Sequence, residues 1–199
     1  MSKGIKELTR TRIKEIIVVF SLIALTYHLV FTYLLDTQSR RKAVAEHLLS
    51  LATQVKAGIN RDEAFNELLR ATTSNYDFEK NYAIGTLGRL EELAKDAVPT
   101  ISVGLRSNNP YVRDASAHAL QRIGKAATAV KPELIALIYK HKSESAAQYA
   151  VECLGQLGDN GNDVLQVLEF AITAKDSMGR QEAEKVYLKL TGKHFLKDQ

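Results

Sequence analysis

The sequence contains one cysteine, three prolines and no tryptophan. With Cys153 as its single thiol, the chain has no intrachain disulfide and no cysteine-rich metal cluster. The scarcity of proline leaves long stretches in which a helix meets no breaker. Runs that alternate apolar and polar residues, the pattern of half-buried strands, are also missing. These absences exclude a disulfide-stapled fold and predict an all-α protein.

Charge is absent from one long apolar run, residues 16–35. As a helix this run is about 30 Å long, which matches the hydrocarbon thickness of a bilayer. It is longer than the apolar region of a signal peptide, and no small-residue cleavage site follows it. A core helix of a layered domain carries a polar face, and this run has none. The run therefore predicts an uncleaved, single-pass transmembrane helix.

The distribution of positive charge predicts the orientation of that helix. The basic tail, residues 1–15, holds five Lys or Arg residues, whereas three follow the helix closely, at residues 40–42. This excess places the N-terminus in the cytoplasm and the remaining chain in the periplasm or another extracytoplasmic space. Residues 36–199 hold 22 basic and 21 acidic residues. Since a nucleic-acid-binding domain needs a basic surplus, nucleic acid is not an expected partner.

One face of the predicted membrane helix carries the residues suited to helix contact. Ser21, Ala24, His28 and Thr32 follow one another at steps of three or four residues. An imidazole near the middle of a bilayer is costly unless it meets a partner. A hydrogen bond to another transmembrane helix is the favoured interpretation, and an axial ligand to a haem or chlorophyll-type metal is the alternative. No cofactor is assigned, because a lone histidine is a weak ligand signal.

The rest of the chain repeats itself at a step of about 34 residues, a period typical of stacked helical hairpins. The segments 87–90, 120–124 and 154–158 align on leucine and glycine, and Pro99 aligns with Pro132. Three apolar columns keep the same step: Ala97, Val130 and Val164; Ile101, Leu134 and Leu168; Leu105, Ile138 and Ile172. The agreement of these columns predicts a helical-repeat domain.

Each repeat is predicted to contain two helices. The first ends at a glycine such as Gly124, in a left-handed cap, and the second begins near Pro99 or Pro132. Residues 36–76 are interpreted as a linker and a degenerate first pair, with helices at 38–55 and 62–69 and Asn60 as an N-cap. Residues 77–199 are interpreted as the repeats, closed by a capping helix at 179–190.

The segment from Asn109 to Gly124, NPYVRDASAHALQRIG, together with Ala129-Val130 and Leu134-Ile135, resembles a HEAT repeat of the short type found in phycobilin lyases. The resemblance covers about residues 77–192. It implies a short right-handed α-solenoid of HEAT-like hairpins, in which Arg113 ties adjacent repeats together. Tetratricopeptide repeats, the alternative at this period, carry a Trp, Tyr and terminal Pro pattern that this chain lacks.

Catalytic and metal-binding signatures are missing from the sequence. No pair among the five histidines has the close spacing with Cys, Asp or Glu that a zinc site would show, and no glycine loop is built to cradle a phosphate. Cys153 falls in an apolar column and is interpreted as a packed core residue. No catalytic residue, metal, cofactor or small-molecule substrate is assigned, and the chain is not predicted to be an enzyme.

The sequence therefore predicts a membrane-anchored helical-repeat scaffold or adaptor that binds other protein subunits. It would be an accessory or assembly subunit of a larger membrane complex and would contact another transmembrane helix. A membrane-tethered HEAT-type lyase or cofactor-handling chaperone is the alternative. The predicted partner-binding residues, all on second helices, are Arg106, Glu133, Tyr139, Lys140, Glu169 and Phe170.

Overall fold

The computed structural model describes residues 2–195, with side chains from residue 22 onward except at positions 24, 31 and 32. Every regular element in that range is helical, and none of it is a strand. The predicted all-α class is therefore confirmed for the described residues.

The first helix, α1, spans Ser2–Ala57. Its length follows from the sequence, because no glycine or proline occurs between Gly4 and Gly58. The polar residues that follow the apolar run do not break the helix, and Arg40 pairs with Asp36 across one turn at 3.4 Å. The separate helix predicted for 38–55 is therefore the last part of α1.

The chain divides after Val44 into two compact units, of which the first contains residues 1–44. Many of its described apolar side chains are exposed, for example Tyr33 and Leu35. Within the part that the structure describes, no helix combines the length and apolar character required to cross a bilayer. Residues 16–21, 24, 31 and 32 of the predicted membrane segment lie outside the described side chains. The predicted contact residues Ser21, Ala24 and Thr32 are among these, whereas His28 is described and exposed.

The second unit contains residues 45–199 and most of the helices. After the end of α1 these are α2 Arg61–Ala71, α3 Asp77–Gly88, α4 Val98–Val103, α5 Pro110–Ile123, α6 Lys131–His141, α7 Ser145–Leu157, α8 Asn162–Thr173 and α9 Arg180–Thr191. Three 3-10 segments are interleaved with them: Glu91–Ala97, Gly104–Arg106 and Gly124–Val130.

The helices of the second unit lie in two layers. In the first layer α3, α5, α7 and α9 contact one another in that order. In the second layer α6 contacts α8 on one side and the 3-10 segment Gly104–Arg106, which continues α4, on the other. Pro99 and Pro132 lie in the first turns of α4 and α6, as the sequence predicts.

The three apolar columns read from the sequence form the core. All nine residues are buried, and Ile101, Leu134 and Leu168 are completely inaccessible to solvent. At the N-terminal end of this unit, Leu48 of α1 and Leu68 of α2 are buried as well. Burial of apolar side chains at about 25 cal/mol per Å² is the main force that holds such layers together.

A positive backbone φ recurs with the sequence period. It is 71° at Gly58, 52° at Glu91, 70° at Gly124, 71° at Gly158 and 70° at Gly192, and each of these positions follows the one before it by one repeat step. Because Gly58 belongs to this series, the periodicity extends to the connection between α1 and α2. Glu91 is the member of the series that keeps a side chain in this unfavourable region.

Two of the predicted caps differ in detail from expectation. Gly158 has the left-handed conformation, with ψ 15°, but ψ at Gly124 is −131°, so that residue is not a left-handed cap. Asn60 precedes α2 as predicted, but it is itself left-handed and makes no capping bond through its side chain. Asparagine tolerates this conformation better than most residues, which accounts for its presence there.

Glycines permit two close contacts within the first layer. A Cβ on Gly88 of α3 would lie 2.7 Å from Cα of Ala119 on α5. A Cβ on Gly155 of α7 would lie 2.6 Å from Cγ2 of Val186 on α9. Since carbon atoms pack at about 3.5–4.0 Å, these helix pairs approach as they do because no side chain is present there. Gly88 therefore has a packing role at the last position of α3.

Candidate partner-binding surface

Three of the six predicted partner-binding residues meet at one groove. Arg106, Glu133 and Lys140 line an open groove of about 440 Å³ between the segment Gly104–Arg106 and α6, which we call the α6 groove. The other residues that line it are Leu105, Pro132, Ala136, Leu137 and His141. The groove thus combines an apolar floor with a polar rim, the composition expected of a site that orients a ligand while burying it.

The rim begins with an ion pair between the segment Gly104–Arg106 and α6. Arg106 Nη2 donates to Glu133 Oε1 at 2.9 Å, and the two residues lie 27 positions apart. The Arg106 side chain is 72% exposed and that of Glu133 25%. An exposed pair of this kind contributes less than about 1 kcal/mol to folding. The guanidinium has five N–H donors in a planar fork, so the pair with Glu133 uses part of its bonding capacity.

The first turn of α6 is fixed by a lysine at its start. Lys131 Nζ donates to Asp159 Oδ2 at 2.6 Å and lies 3.1 Å from Asp163 Oδ2. These hydrogen bonds, with that to Asp159 foremost, raise the pKa of Lys131 above its ordinary value. The same bond lowers the pKa of Asp159. The groove residues Pro132 and Glu133, which follow Lys131 directly, are thereby tied to the connection between α7 and α8.

The last turn of α6 is fixed through a buried arginine. Arg113, whose side chain is 7% exposed, donates through Nε and Nη2 to both oxygens of Glu144, at 2.9 and 2.6 Å. Its Nη1 donates to the carbonyl oxygen of Ser107. His141 Nδ1 lies 2.9 Å from Glu144 Oε1. The Arg113 guanidinium, followed by the smaller contribution of His141, holds the pKa of Glu144 below its ordinary value.

This network connects the groove to the frame of the fold. Arg113 links the connection before α5, through Ser107, to the connection before α7, through Glu144. Through Glu144 it also holds His141 at the end of the groove. A buried ion pair has to be well hydrogen-bonded to offset its desolvation, and Arg113 meets this condition with three donated bonds.

A second groove lies on the other side of Arg106. It has a volume of about 590 Å³ and is lined by residues of α3, α4 and α5 and of the connections that follow α2 and α4, and we call it the α3 groove. Lys80, Ile84, Val103 and Arg106 are among its lining residues. Val103 is 70% exposed, which is unusual for a valine within a helix of a packed layer. Arg106 is shared by both grooves.

The other three predicted residues lie apart from the grooves. The rings of Tyr139 and Phe170 pack with centroids 4.8 Å apart, and Lys142 Nζ lies 5.9 Å from the Phe170 centroid. Glu169 Oε1 accepts from the hydroxyl of Tyr187 at 3.2 Å. Burial, followed by the hydrogen bond to Glu169, raises the pKa of Tyr187. The six predicted residues therefore fall into three places. Arg106, Glu133 and Lys140 line the α6 groove, Tyr139 and Phe170 form a ring pair, and Glu169 contacts α9.

Sequence reasoning missed Lys80 and His141 as groove residues. Neither stands in an apolar column, and Lys80 lies on α3, a first-layer helix, whereas the candidates were taken from second helices. Leu105 was placed in the core, and it is buried, but it also floors the α6 groove. The sequence signal that could have identified His141 is its position, beside Lys140, among the basic residues in the last turn of α6.

The described residues hold no group of three or more His, Cys, Asp or Glu side chains arranged to share a metal ion. Cys153 is buried, and burial raises the pKa of its thiol to about 12. A thiol in this state is a poor nucleophile, which agrees with its interpretation as a packed residue.

Comparison with known protein families returns no match, and comparison with curated proteins finds no significant relative.

Proposed function

We propose that this protein is a membrane-held, helical-repeat adaptor that binds other protein subunits through the surface formed by the α3 and α6 grooves. The observation that carries the proposal is the convergence of Arg106, Glu133 and Lys140 on one groove. All three belong to the set predicted from the sequence as second-helix residues that the core columns leave free. Arginine is enriched at the centres of protein interfaces, and Arg106 lies between the two grooves.

The α-solenoid of HEAT-like hairpins is part of this proposal. It is supported by the sequential contacts of α3, α5, α7 and α9 and by a series of positive φ values, at Gly58, Glu91, Gly124, Gly158 and Gly192, that keeps the repeat step. Stacked repeats leave one helix of each pair available along a continuous surface, and repeat proteins use such surfaces to bind other proteins. The α6 groove lies along the second-layer helix α6, whereas the α3 groove is lined by residues of both layers.

Membrane attachment through residues 16–35 is also proposed. It is supported by the absence of charge over this run and by the exposure of described apolar residues such as Leu25, Leu29 and Val30. Apolar surface of this extent is stable in lipid and costly in water. The excess of basic residues before the run supports a cytoplasmic N-terminus.

The membrane proposal is tested by extracting membranes that contain the full chain with alkaline carbonate. We expect the protein to stay in the pellet and to need detergent for release. Recovery of the full-length chain in the supernatant would refute the anchor. A reporter fused after the last residue tests the orientation, and activity confined to the cytosol would reverse it.

The adaptor proposal is tested by purifying the full chain in mild detergent and identifying what accompanies it. We expect a protein partner to co-purify with the wild type and to be largely lost with the double variant Arg106→Ala, Lys140→Ala. The matched control is Lys125→Ala, Lys175→Ala, which removes two exposed lysines outside both grooves. Equal recovery with both double variants would show that the grooves do not bind the partner.

The aromatic cluster supplies a second comparison in the same experiment. Tyr139→Ala with Phe170→Ala removes the ring pair but leaves the grooves intact. If the partner is lost with this variant and kept with the groove variant, the adaptor function stands and its surface lies on α6 and α8.

A further inference from the structure

The two grooves concentrate positive charge in a domain that is nearly neutral. Their lining residues include three cations, Lys80, Arg106 and Lys140, and one anion, Glu133. Residues 36–199 as a whole hold 22 basic and 21 acidic residues. The surplus of cations among these lining residues is therefore a local property, and a surplus of one sign in a cleft favours a ligand of the opposite sign.

The cations differ in how they are held. Arg106 is 72% exposed and donates to one carboxylate oxygen of Glu133. The Lys80 side chain is 28% exposed, and its Nζ lies 4.0 Å from Asp77 Oδ1. Lys140 lies exposed at the rim of the α6 groove. A carboxylate that approaches Arg106 from solvent meets a guanidinium able to bind it with two parallel hydrogen bonds.

The grooves also offer apolar surface next to these cations. In the α6 groove Pro132 and Ala136 are exposed above the buried Leu105 and Leu137, and in the α3 groove Val103 is 70% exposed. A volume of about 440 Å³ is enough for more than one side chain. A lipid headgroup layer would contact the protruding cations and leave such a recess unfilled, whereas a peptide fills it with side chains.

We propose that the α3 and α6 grooves bind an acidic segment of a partner protein, in which Asp or Glu side chains flank an apolar residue. The carboxylates bind Arg106 and Lys140, and the apolar side chain occupies the α6 groove. This inference rests on the proposed adaptor function and adds the chemistry of the partner. Two observations select this occupant: the surplus of cations along the grooves and the apolar floor beside them.

The test uses the full chain in a zwitterionic detergent and a fluorescein-labelled decapeptide that alternates glutamate and leucine. Fluorescence anisotropy measures its binding to the wild type, to the variant Arg106→Gln, Lys140→Gln and to the matched control Lys125→Gln, Lys175→Gln. We expect the groove variant to raise the dissociation constant at least about fivefold and the control to leave it within about twofold. Affinity should also fall with added salt, since the surface cations are solvent-exposed.

Two further peptides separate charge from apolar contact. A decapeptide alternating lysine and leucine should not bind, and one alternating glutamate and serine should bind more weakly than the first peptide. Equal binding of the lysine peptide, or equal loss with both protein variants, would overturn the inference. Binding of phosphatidylserine vesicles that depends on Arg106 and Lys140, with no binding of the acidic peptide, would assign the surface to a membrane instead.

The peptide-binding experiment and the co-purification experiment can fail independently of each other. If a partner is lost with the groove variant but the acidic peptide does not bind, the adaptor function holds and the inferred partner chemistry is wrong. If the peptide binds through Arg106 but no protein co-purifies by way of the grooves, the surface has the inferred chemistry and the adaptor function fails.

Discussion

The close approach of α3 to α5 can be tested by two alanine substitutions on one helix, at Gly85 and Gly88. At Gly88 a Cβ would lie 2.7 Å from Cα of Ala119 and 3.0 Å from its Cβ. The nearest atom belongs to the backbone of α5, so no rotamer change relieves the clash. At Gly85 the added Cβ meets nothing within 4 Å.

The magnitudes follow from these distances. Overpacking a core lowers the free energy of unfolding by about 1–3 kcal/mol. Replacing glycine by alanine within a helix raises it by up to about 1 kcal/mol. Because Gly88 is the last residue of α3, the gain in helix propensity is smaller there. We therefore expect Gly88→Ala to destabilise the protein by about 1–2 kcal/mol. Gly85→Ala should stabilise by about 0.5–1 kcal/mol because it gains propensity and meets no clash.

Urea unfolding of the full chain in detergent, followed by far-ultraviolet circular dichroism, measures both variants. We expect their midpoints to move in opposite directions with unchanged slopes. If Gly88→Ala raised the midpoint as much as Gly85→Ala, α3 and α5 would not be in contact at Gly88. The order of helices in the first layer would then have to be revised.

Three further predictions concern the side chains of Ser116, Glu144 and Cys153. The Ser116 hydroxyl is buried without a hydrogen-bond partner among the described residues, so Ser116→Ala should raise the free energy of unfolding by about 1 kcal/mol, and a lower urea midpoint would contradict this. Arg113 lowers the pKa of Glu144 in the folded state, so the carboxylate adds stability above its ordinary pKa of 4.5 and loses it as the pH falls through the lower folded value. We therefore expect the urea midpoint of the wild type to fall more steeply below pH 4.5 than that of Glu144→Gln, and parallel pH profiles would refute this role. Burial raises the pKa of Cys153 to about 12, so a thiol reagent at neutral pH should label it only when urea unfolds the chain, and rapid labelling of the native protein would be inconsistent with the packing.

Much of the architecture follows from the sequence because repeats are a one-dimensional property. The regular repeat step identifies the column of Ile101, Leu134 and Leu168, and an apolar residue at a helical period has to face a core. Pro99 and Pro132 mark the first turns of second helices for an equally local reason, since proline lacks the N–H that a helix interior uses.

The site was predicted less completely, because it depends on distance in space. The sequence selected Arg106 and Glu133 as surface residues, but their contact across 27 positions depends on how the segment Gly104–Arg106 lies against α6. Tyr139 belongs to the same helix as Glu133, yet it faces Phe170 on α8. His141 joins the groove through Glu144, a residue without any pattern signal.

The sequence by itself determined the helical class, the repeat step and the apolar columns, because periodicity and backbone preference act over a few neighbouring residues. The tertiary structure alone decided that Gly88 is a packing residue, that Arg113 links two connections and that Arg106 lies between two grooves. These features arise where helices from different repeats approach one another. The distance and crossing of two packed helices depend on all the side chains between them, and no single segment of the chain encodes that sum.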